Sequence, residues 1–498
     1  MRTSLGPLFV QLEPDGRDPL QVQLYASIKR AILEGVLAAG ARLPSSRALA
    51  ADLKVSRTTA MLAFDRLAAE GYIAARGGSG TFVMPQLQPA GHVQADARRR
   101  HPPLSARGQV LAASPATVVK IDGAPRAFRI GTPALDLFPR RQWARLLARQ
   151  RRRPADTTLD YGPAFGLPML REAIAGHVSR ARGTSCRAEQ VVVVAGAQHG
   201  LHLLCQLLLD PGDLAWVEEP GYPGARAALA SAAAVIEPVP VDAQGLDVEC
   251  GRWRPRTPRV IYVTPSHQFP LGVTMSLPRR QSLLAFARDV DAWILEDDYD
   301  SEFRYGARPA ASLHGLDPDG RVIYVGSFSK TLFPALRLGY VIVPADLVEA
   351  VRVARRATDI HTPALEQALV GEFILEGHYE RHLRRMRREY VARRDALADA
   401  VRRRGAGALS LRETTTGLHA VADLCAADAV VVAREALSHG VEVMPLSAYY
   451  QDAGAVSRDG RTTAGGLVLG FGAVRPGLID AGMRTLAAAI EHAGRSRA

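Results

Sequence analysis

VIYVGSFSKTLFPALRLGYVIV, residues 322–343, holds the residues on which the reading of this chain turns. Two short β-branched runs, Val322–Gly326 and Tyr340–Val343, flank a loop in which Ser327 and Ser329 stand beside Lys330, with Arg337 seven residues further on. The lysine is conspicuous because the chain has 62 basic residues and only four are lysines: Lys29, Lys54, Lys120 and Lys330. Arginine stays protonated in a protein, whereas lysine can lose its proton and attack a carbonyl. Hydroxyls with a fixed cation fit a phosphate, and the adjacent amine fits Schiff-base chemistry.

Working outward, EDDYDSEFRY (296–305) lies thirty-three residues upstream, directly after an apolar run. Carboxylates at the carboxyl end of a parallel strand sit where such sheets bind ligands, and one of them can hold a ring nitrogen protonated. Further upstream, Val191–Val194 runs into Ala195-Gly196-Ala197-Gln198 and a helical segment through Leu208. Small residues there either let helix N-terminal amides cradle an anion or make an ordinary tight turn. Similar runs recur at Ala215–Val217, Val260–Val263 and Trp293–Glu296, with helical segments between them. The class is therefore α/β, with a largely parallel sheet covered on both faces. Neither GxGxxG nor a P-loop is found, which argues against dinucleotides and nucleoside triphosphates.

Residues 18–84 follow another pattern. Val22, Leu24, Tyr25, Ile28, Ile32 and Leu33 form a helical stripe, and LPSSRALAADLKVSRTTAMLAFDRLAAEGYI (43–73) reads as helix, turn, helix. Ser45 and Ser56 are the expected caps, Gly71 the stop, and Ala60, Phe64 and Leu67 one buried face. Arg57, Thr58 and Thr59 crowd the first turn of the second helix, where a recognition helix meets DNA. Ile73 to Val83, around Gly77-Gly78-Ser79-Gly80, reads as a small hairpin, or wing, with Arg76 at its base. Residues 85–120, rich in Pro, Ala and Arg, read as a linker. Its run Arg98-Arg99-Arg100 reads as a solvated tether before a phosphate contact. The expected domains are thus 1–84, 85–120 and 121–498.

Composition sets wide limits. At 498 residues, 47 % hydrophobic and +12 net charge, the chain can bury a large core and permits a polyanionic partner. No uncharged apolar run approaches membrane-spanning length. Met1–Val10 lacks the layout of a secretory signal, and the four cysteines contain no CxxC pair, so a cytoplasmic, metal-free protein is expected.

LPSSRALA, VSRTTA, LAAEGYI and GGSGTFV occur in the order and spacing of the GntR winged helix-turn-helix, which the segment resembles. The resemblance implies that Arg47, Arg57 and the wing at Gly78 touch double-stranded DNA, supported by Ser56, Thr58 and Arg76. Residues 125–498 resemble fold-type I aminotransferases, with a large α/β domain and a small C-terminal one. That likeness implies pyridoxal 5′-phosphate, with Lys330 as its Schiff-base lysine and Asp297 on the pyridine nitrogen. It further implies Tyr299 on the ring hydroxyl and Tyr222 stacked on the ring. Ser327, Arg337 and the amides of Ala197 and Gln198 would grip the phosphate, and Tyr161 would arrive from the neighbouring subunit of a domain-swapped homodimer.

The fusion resembles the MocR/GabR regulators, whose signature TPSHQFPLG (264–272) matches. Three departures matter. Phe269 replaces the Asn that aminotransferases place at the ring hydroxyl, leaving His267 as substitute or as a structural residue. Val468 stands where they carry the arginine that clamps an α-carboxylate, with Arg475 and Arg226 as candidate replacements. Gly224 and Ala448 occupy positions that are arginine in regulators responding to GABA. The expected function is a transcription regulator whose aminotransferase-like domain senses an amino compound, or pyridoxal phosphate itself, through the Lys330 aldimine. The alternative is a working aminotransferase with an accessory DNA-binding domain. Arg149–Arg153 and HLRRMRREYVARR (382–394) read as solvated helix faces, and Glu218-Glu219 as structural.

Overall fold

The computed structural model describes residues 12–14, 16, 18–85, 104–113, 123–152, 160–305, 311–405, 407–425, 427–451 and 465–495. The readings of Met1–Val10, of the Arg98–Arg100 run and of Arg153 lie outside these. The chain divides into two compact units, Met1–Pro103 and Leu104–Ala498.

In the first unit, α1 (Leu20–Leu33), β1 (Arg42–Leu43), α2 (Ser46–Asp52), α3 (Arg57–Ala69), β2 (Ile73–Arg76) and β3 (Gly80–Val83) follow in order. Ser45 Oγ accepts from the Ala48 amide at 3.1 Å and Ser56 Oγ from the Thr59 amide at 3.0 Å, so both expected caps form. Each satisfies an amide that the helix start leaves open and contributes about 1 kcal/mol. Gly71 takes a φ of 74°, a left-handed conformation that ends α3 without Cβ strain. Leu24, Ile28, Ala60, Phe64 and Leu67 form the common core, each large side chain contributing roughly 1.5–3 kcal/mol. The strands pair antiparallel in the order β1-β3-β2, and the β2–β3 hairpin is the wing.

The second unit is built on an eight-stranded sheet: β4 (Val191–Val194), β5 (Leu214–Glu219), β6 (Val235–Asp242), β7 (Gly245–Leu246), β8 (Val260–Val263), β9 (Trp293–Asp298), β10 (Val322–Ser327) and β11 (Gly339–Ile342). Its order is β4-β11-β10-β9-β8-β5-β6-β7, and neighbours from β10 through β6 run parallel. Val191 and Val193 enter one core cluster and Val192 and Val194 another, which is why the run is apolar throughout. A second sheet contains β12 (Leu409–Leu411), β13 (His419–Leu424), β14 (Met444–Pro445) and β15 (Gly466–Gly470) in the antiparallel order β12-β13-β15-β14.

One strand is not foreseen by the sequence reading, and one local expectation changes. Strand β6 contains Pro238 and Pro240, which weigh against a strand; it is tolerated near the sheet edge, beside only the two-residue β7. Within the stretch read as linker, Ala106–Ala113 form a helix that lies against Pro223–Ser231. Ser105 Oγ receives the Gly108 amide at 3.1 Å, and the helix buries none of its own residues, so it carries no apolar stripe to betray it.

Candidate cofactor and DNA-binding sites

Strand alternation sorts the acidic run at the end of β9. Glu296 accepts the amides of Leu313 and His314 at 3.0 and 2.9 Å. Asp298 Oδ2 receives the Tyr324 hydroxyl at 2.5 Å and forms an ion pair with Arg182 Nε at 2.7 Å, its Oδ1 having no hydrogen-bond partner among the described residues. Both carboxylates are thus held by the scaffold. Asp297 alone turns to the other side, where Oδ2 accepts from Tyr262 and Oδ1 has no partner among the described residues. Burial pushes its carboxyl up to about 7.

Lys330 donates Nζ to the Gly131 carbonyl at 2.7 Å. Burial lowers its pKa, while the charges of Asp300 and Asp297 act in the opposite direction. A Cβ on Gly131, whose φ is 73°, would lie 2.7 Å from that Nζ, so a larger residue would displace the amine and be strained in its backbone.

Gly196 (φ 89°) opens the helix Ala197–Leu208 without a side-chain cap. As in any first helical turn, the Ala197 and Gln198 amides lack intrahelical acceptors. The exposed Arg337 guanidinium stands over Gly196, 3.5 Å from where its Cβ would be, and Arg337 Nη2 donates to the Ala195 carbonyl at 3.0 Å. Ser327 pairs with Gly339, and a Cβ there would approach the Ala197 amide at 3.1 Å, so the hydroxyl and the helix start are neighbours. Amides, hydroxyl and guanidinium together suit a phosphate dianion.

Aromatic rings enclose the space between. Tyr222 precedes the helix Pro223–Ser231, meets Phe269 edge-on at 5.8 Å and donates to Gln198 Oε1 at 3.4 Å. Burial raises the Tyr222 hydroxyl to about 12. The Tyr299 hydroxyl lies 3.0 Å from His267 Nδ1, and the same nitrogen is 3.0 Å from Asp300 Oδ1. His267 is therefore fastened behind Tyr299. His267, Asp300 and His419 form a buried set, each offering one ligand atom within 4.8 Å of the others. His419 Nε2 is already bonded to the Pro270 carbonyl at 3.0 Å.

Lys330, Asp297, Tyr299, His267, Tyr222, Gln198, Ala197, Ser327 and Arg337 are thus built around one region by strand ends and helix starts. Tyr161 is not: it is 80 % exposed and meets His361 edge-on at 6.4 Å. The candidates for the missing clamp fail on geometry. Arg226 Nη1 donates to the Tyr449 carbonyl at 2.9 Å and lies 3.5 Å from Glu219, while Arg475 is 74 % exposed and bonded to Asp136 at 3.1 Å. Glu218 Oε2 receives the Thr264 amide and hydroxyl at 3.1 and 2.5 Å, while its Oε1 has no hydrogen-bond partner among the described residues. Sequence reasoning missed Tyr262, Gly131, Asp300 and His419. An aromatic hydroxyl on a neighbouring strand was the one available signal, for Tyr262.

In the first unit, Arg47, Ser56, Arg57, Thr58, Arg76 and Gly78 are all exposed. The Ser56 hydroxyl is also 2.8 Å from that of Thr59, besides capping the helix. Arg76 lies over the Phe82 ring at 5.0 Å, at the base of the wing.

A winged helix joined to this α/β architecture defines a class: a DNA-binding domain fused to an aminotransferase-type domain. The family described as "Aminotransferase class I and II" matches residues 57–467, and "Bacterial regulatory proteins, gntR family" matches 20–83. The chain is 40 % identical over 481 residues to the probable rhizopine catabolism regulatory protein MocR of Rhizobium meliloti, covering 96 % of this chain and 95 % of that one. It is 33 % identical over 475 residues to the pyridoxine biosynthesis transcriptional regulator PdxR of Corynebacterium glutamicum, covering 94 % and 95 %. Among solved structures, a Pyrococcus horikoshii kynurenine aminotransferase in complex with PMP matches at 28 % identity with a TM-score of 0.67, covering 74 % of this chain and 92 % of that one. The chain belongs to the MocR/GabR-type transcription regulators of the GntR family. Among the described residues no helix is long and apolar enough to cross a membrane.

Proposed function

We propose that this protein is a cytoplasmic, dimeric transcription regulator that binds operator DNA through its N-terminal unit and responds to an amino compound, or to pyridoxal phosphate, at Lys330. The supporting observation is a buried carboxylate, Asp297, whose charge acts on the Lys330 amine and whose Oδ1 has no partner among the described residues. That unpaired Oδ1, the room left by Gly131 and the open helix start at Gly196 fit pyridoxal phosphate. When bound, the cofactor supplies an aldehyde that captures primary amines.

The chain's own residues do the rest. Lys330, its pKa lowered by burial, offers a nucleophilic amine. Asp297 would hold the ring-nitrogen proton of the cofactor, while Tyr262 fixes its Oδ2. Arg337, Ser327 and the Ala197 and Gln198 amides take the phosphate, joined by the partner subunit's Tyr161. Tyr222 would stack on the cofactor ring. Tyr299, oriented by His267 and Asp300, reaches the ring hydroxyl. Arg47 and Arg57, with Thr58, Arg76 and the wing, contact DNA, and Ser56 orders the recognition helix. An effector shifts the two arms only if its affinity differs between their arrangements.

The test is footprinting on DNA upstream of the protein's own gene, beside an amino-acceptor turnover assay. Sequence-specific protection that changes with an amine, with turnover negligible, is expected. Efficient turnover without protection would make the protein an aminotransferase and overturn the reading.

A further inference from the structure

Helix α3 carries an apolar pair on its outer face. Ala60, Ala63, Phe64 and Leu67 turn into the core, and helical spacing puts Thr58, Met61, Leu62 and Asp65 on the side away from it. Met61 and Leu62 are 44 % and 45 % exposed, and Thr58 and Asp65 are exposed with them. A surface helix ordinarily shows water a polar face, so two adjacent large apolar side chains there mark a contact.

The chemistry around the pair fits the major groove of DNA. Two other polar side chains of the helix are engaged along its flanks: the Thr59 hydroxyl lies 2.8 Å from that of Ser56, and Arg66 lies over the Tyr25 ring at 4.0 Å and donates to Glu70 at 3.2 Å. Arg57 at the head of the helix, Arg47 in α2 and Arg76 in the wing are exposed cations suited to phosphates. Past Thr58, the outward face itself offers base edges two apolar side chains and a carboxylate. Guanine presents two acceptors in this groove, which a carboxylate repels and an apolar side chain leaves unpaired. Thymine presents a C5-methyl group, and cytosine and adenine present amino donors that Asp65 can accept. A methyl group set against Met61 or Leu62 takes apolar surface of both partners out of water.

Building on the reading of the first unit as the operator-binding arm, we propose that Met61 and Leu62 are specificity-determining residues that read thymine methyl groups in the major groove. This part of the operator is then selected by apolar contact, with the arginines positioning the helix on the phosphates.

The test lets full-length protein select duplexes from a random-sequence library. Each thymine of the enriched site is then replaced in turn by deoxyuridine, which deletes only the methyl group, and binding is read by fluorescence anisotropy. At one or more thymines the replacement should weaken wild-type binding about fourfold. In the double variant Met61→Ala, Leu62→Ala the same replacement should cost less than about twofold. An enriched site at which no replacement weakens wild-type binding overturns the inference, as does a methyl effect that persists unchanged in the variant. A variant that keeps the methyl effect but changes oligomeric state on size-exclusion chromatography would make this face a protein contact instead. If circular dichroism shows the double variant unfolded, Met61→Gln and Leu62→Gln, tested singly, take its place. Failure of the underlying reading looks different: no sequence is enriched over successive rounds, and the inference then falls with it.

Discussion

The Tyr262 hydroxyl donates to Asp297 Oδ2 at 2.7 Å, while Asp297 Oδ1, on the same buried side chain, lacks a partner among the described residues. The site is thus prepared for a protonated ring nitrogen at a standing cost to the cofactor-free protein. Burial, reinforced by the charge of Asp298 and opposed by Tyr262 and Lys330, raises the folded-state pKa from 3.8 to about 7. The folded state therefore binds more protons than the unfolded state between those values. Stability falls as pH rises through that window, and the full penalty is present above about 7. Cofactor-free Asp297→Asn should be more stable than wild type at about pH 8 by on the order of 2 kcal/mol, with little difference near about pH 4, while holding pyridoxal phosphate less tightly. Urea unfolding at the two pH values measures this. Glu218, also pushed to about 7 chiefly by burial, is raised further by the Asp297 charge, so the substitution relieves it too and adds to the difference in the same direction. A difference that does not change with pH would contradict the account.

Lys330→Arg should take up no cofactor covalently and show no visible band, yet still bind DNA, because the arms form a separate compact unit. Gly131→Ala should weaken the band without abolishing it, since its Cβ would press on Nζ from 2.7 Å. Persistence of the wild-type band in Lys330→Arg would mean that another amine carries the chemistry.

Affinity for DNA should fall steeply with salt, as phosphate contacts by Arg47 and Arg57 require. Arg57→Ala should weaken binding by about 1–3 kcal/mol and make the log–log salt slope shallower by about 1. Fluorescence anisotropy across a salt series reads both quantities. A flat titration would remove the arms from the mechanism.

Gly417→Ala probes the support behind Tyr299. At a φ of 76°, its Cβ would fall 2.0 Å from His267 Cε1 and 2.5 Å from Asp300 Oδ2. The backbone strain alone costs about 1–3 kcal/mol, and the clash displaces His267. Thermal unfolding should drop by several degrees, and the visible band should shift as Tyr299 loses its orientation. Unchanged melting and an unchanged band would show that the histidine has no such role.

What could be read from residue order alone was whatever depends on near neighbours. The caps Ser45 and Ser56, the stop at Gly71 and the wing around Gly78 rest on contacts within a few residues. The sparse lysines and the hydroxyls beside Lys330 needed no fold to be noticed, and strands such as Val191–Val194 declare themselves because burial on both faces demands unbroken apolar runs. Helix Ala106–Ala113 and strand β6 escaped for the converse reason: the first has no apolar stripe, and the second carries prolines that an edge position tolerates. Folding alone selected Asp297 from three consecutive carboxylates, because Tyr324 and Arg182 occupy Asp298 and backbone amides occupy Glu296. Folding alone also bound Arg226 and Arg475 to partners more than two hundred residues away. Such pairings depend on which segments meet when the core closes, and desolvation then makes each one decisive.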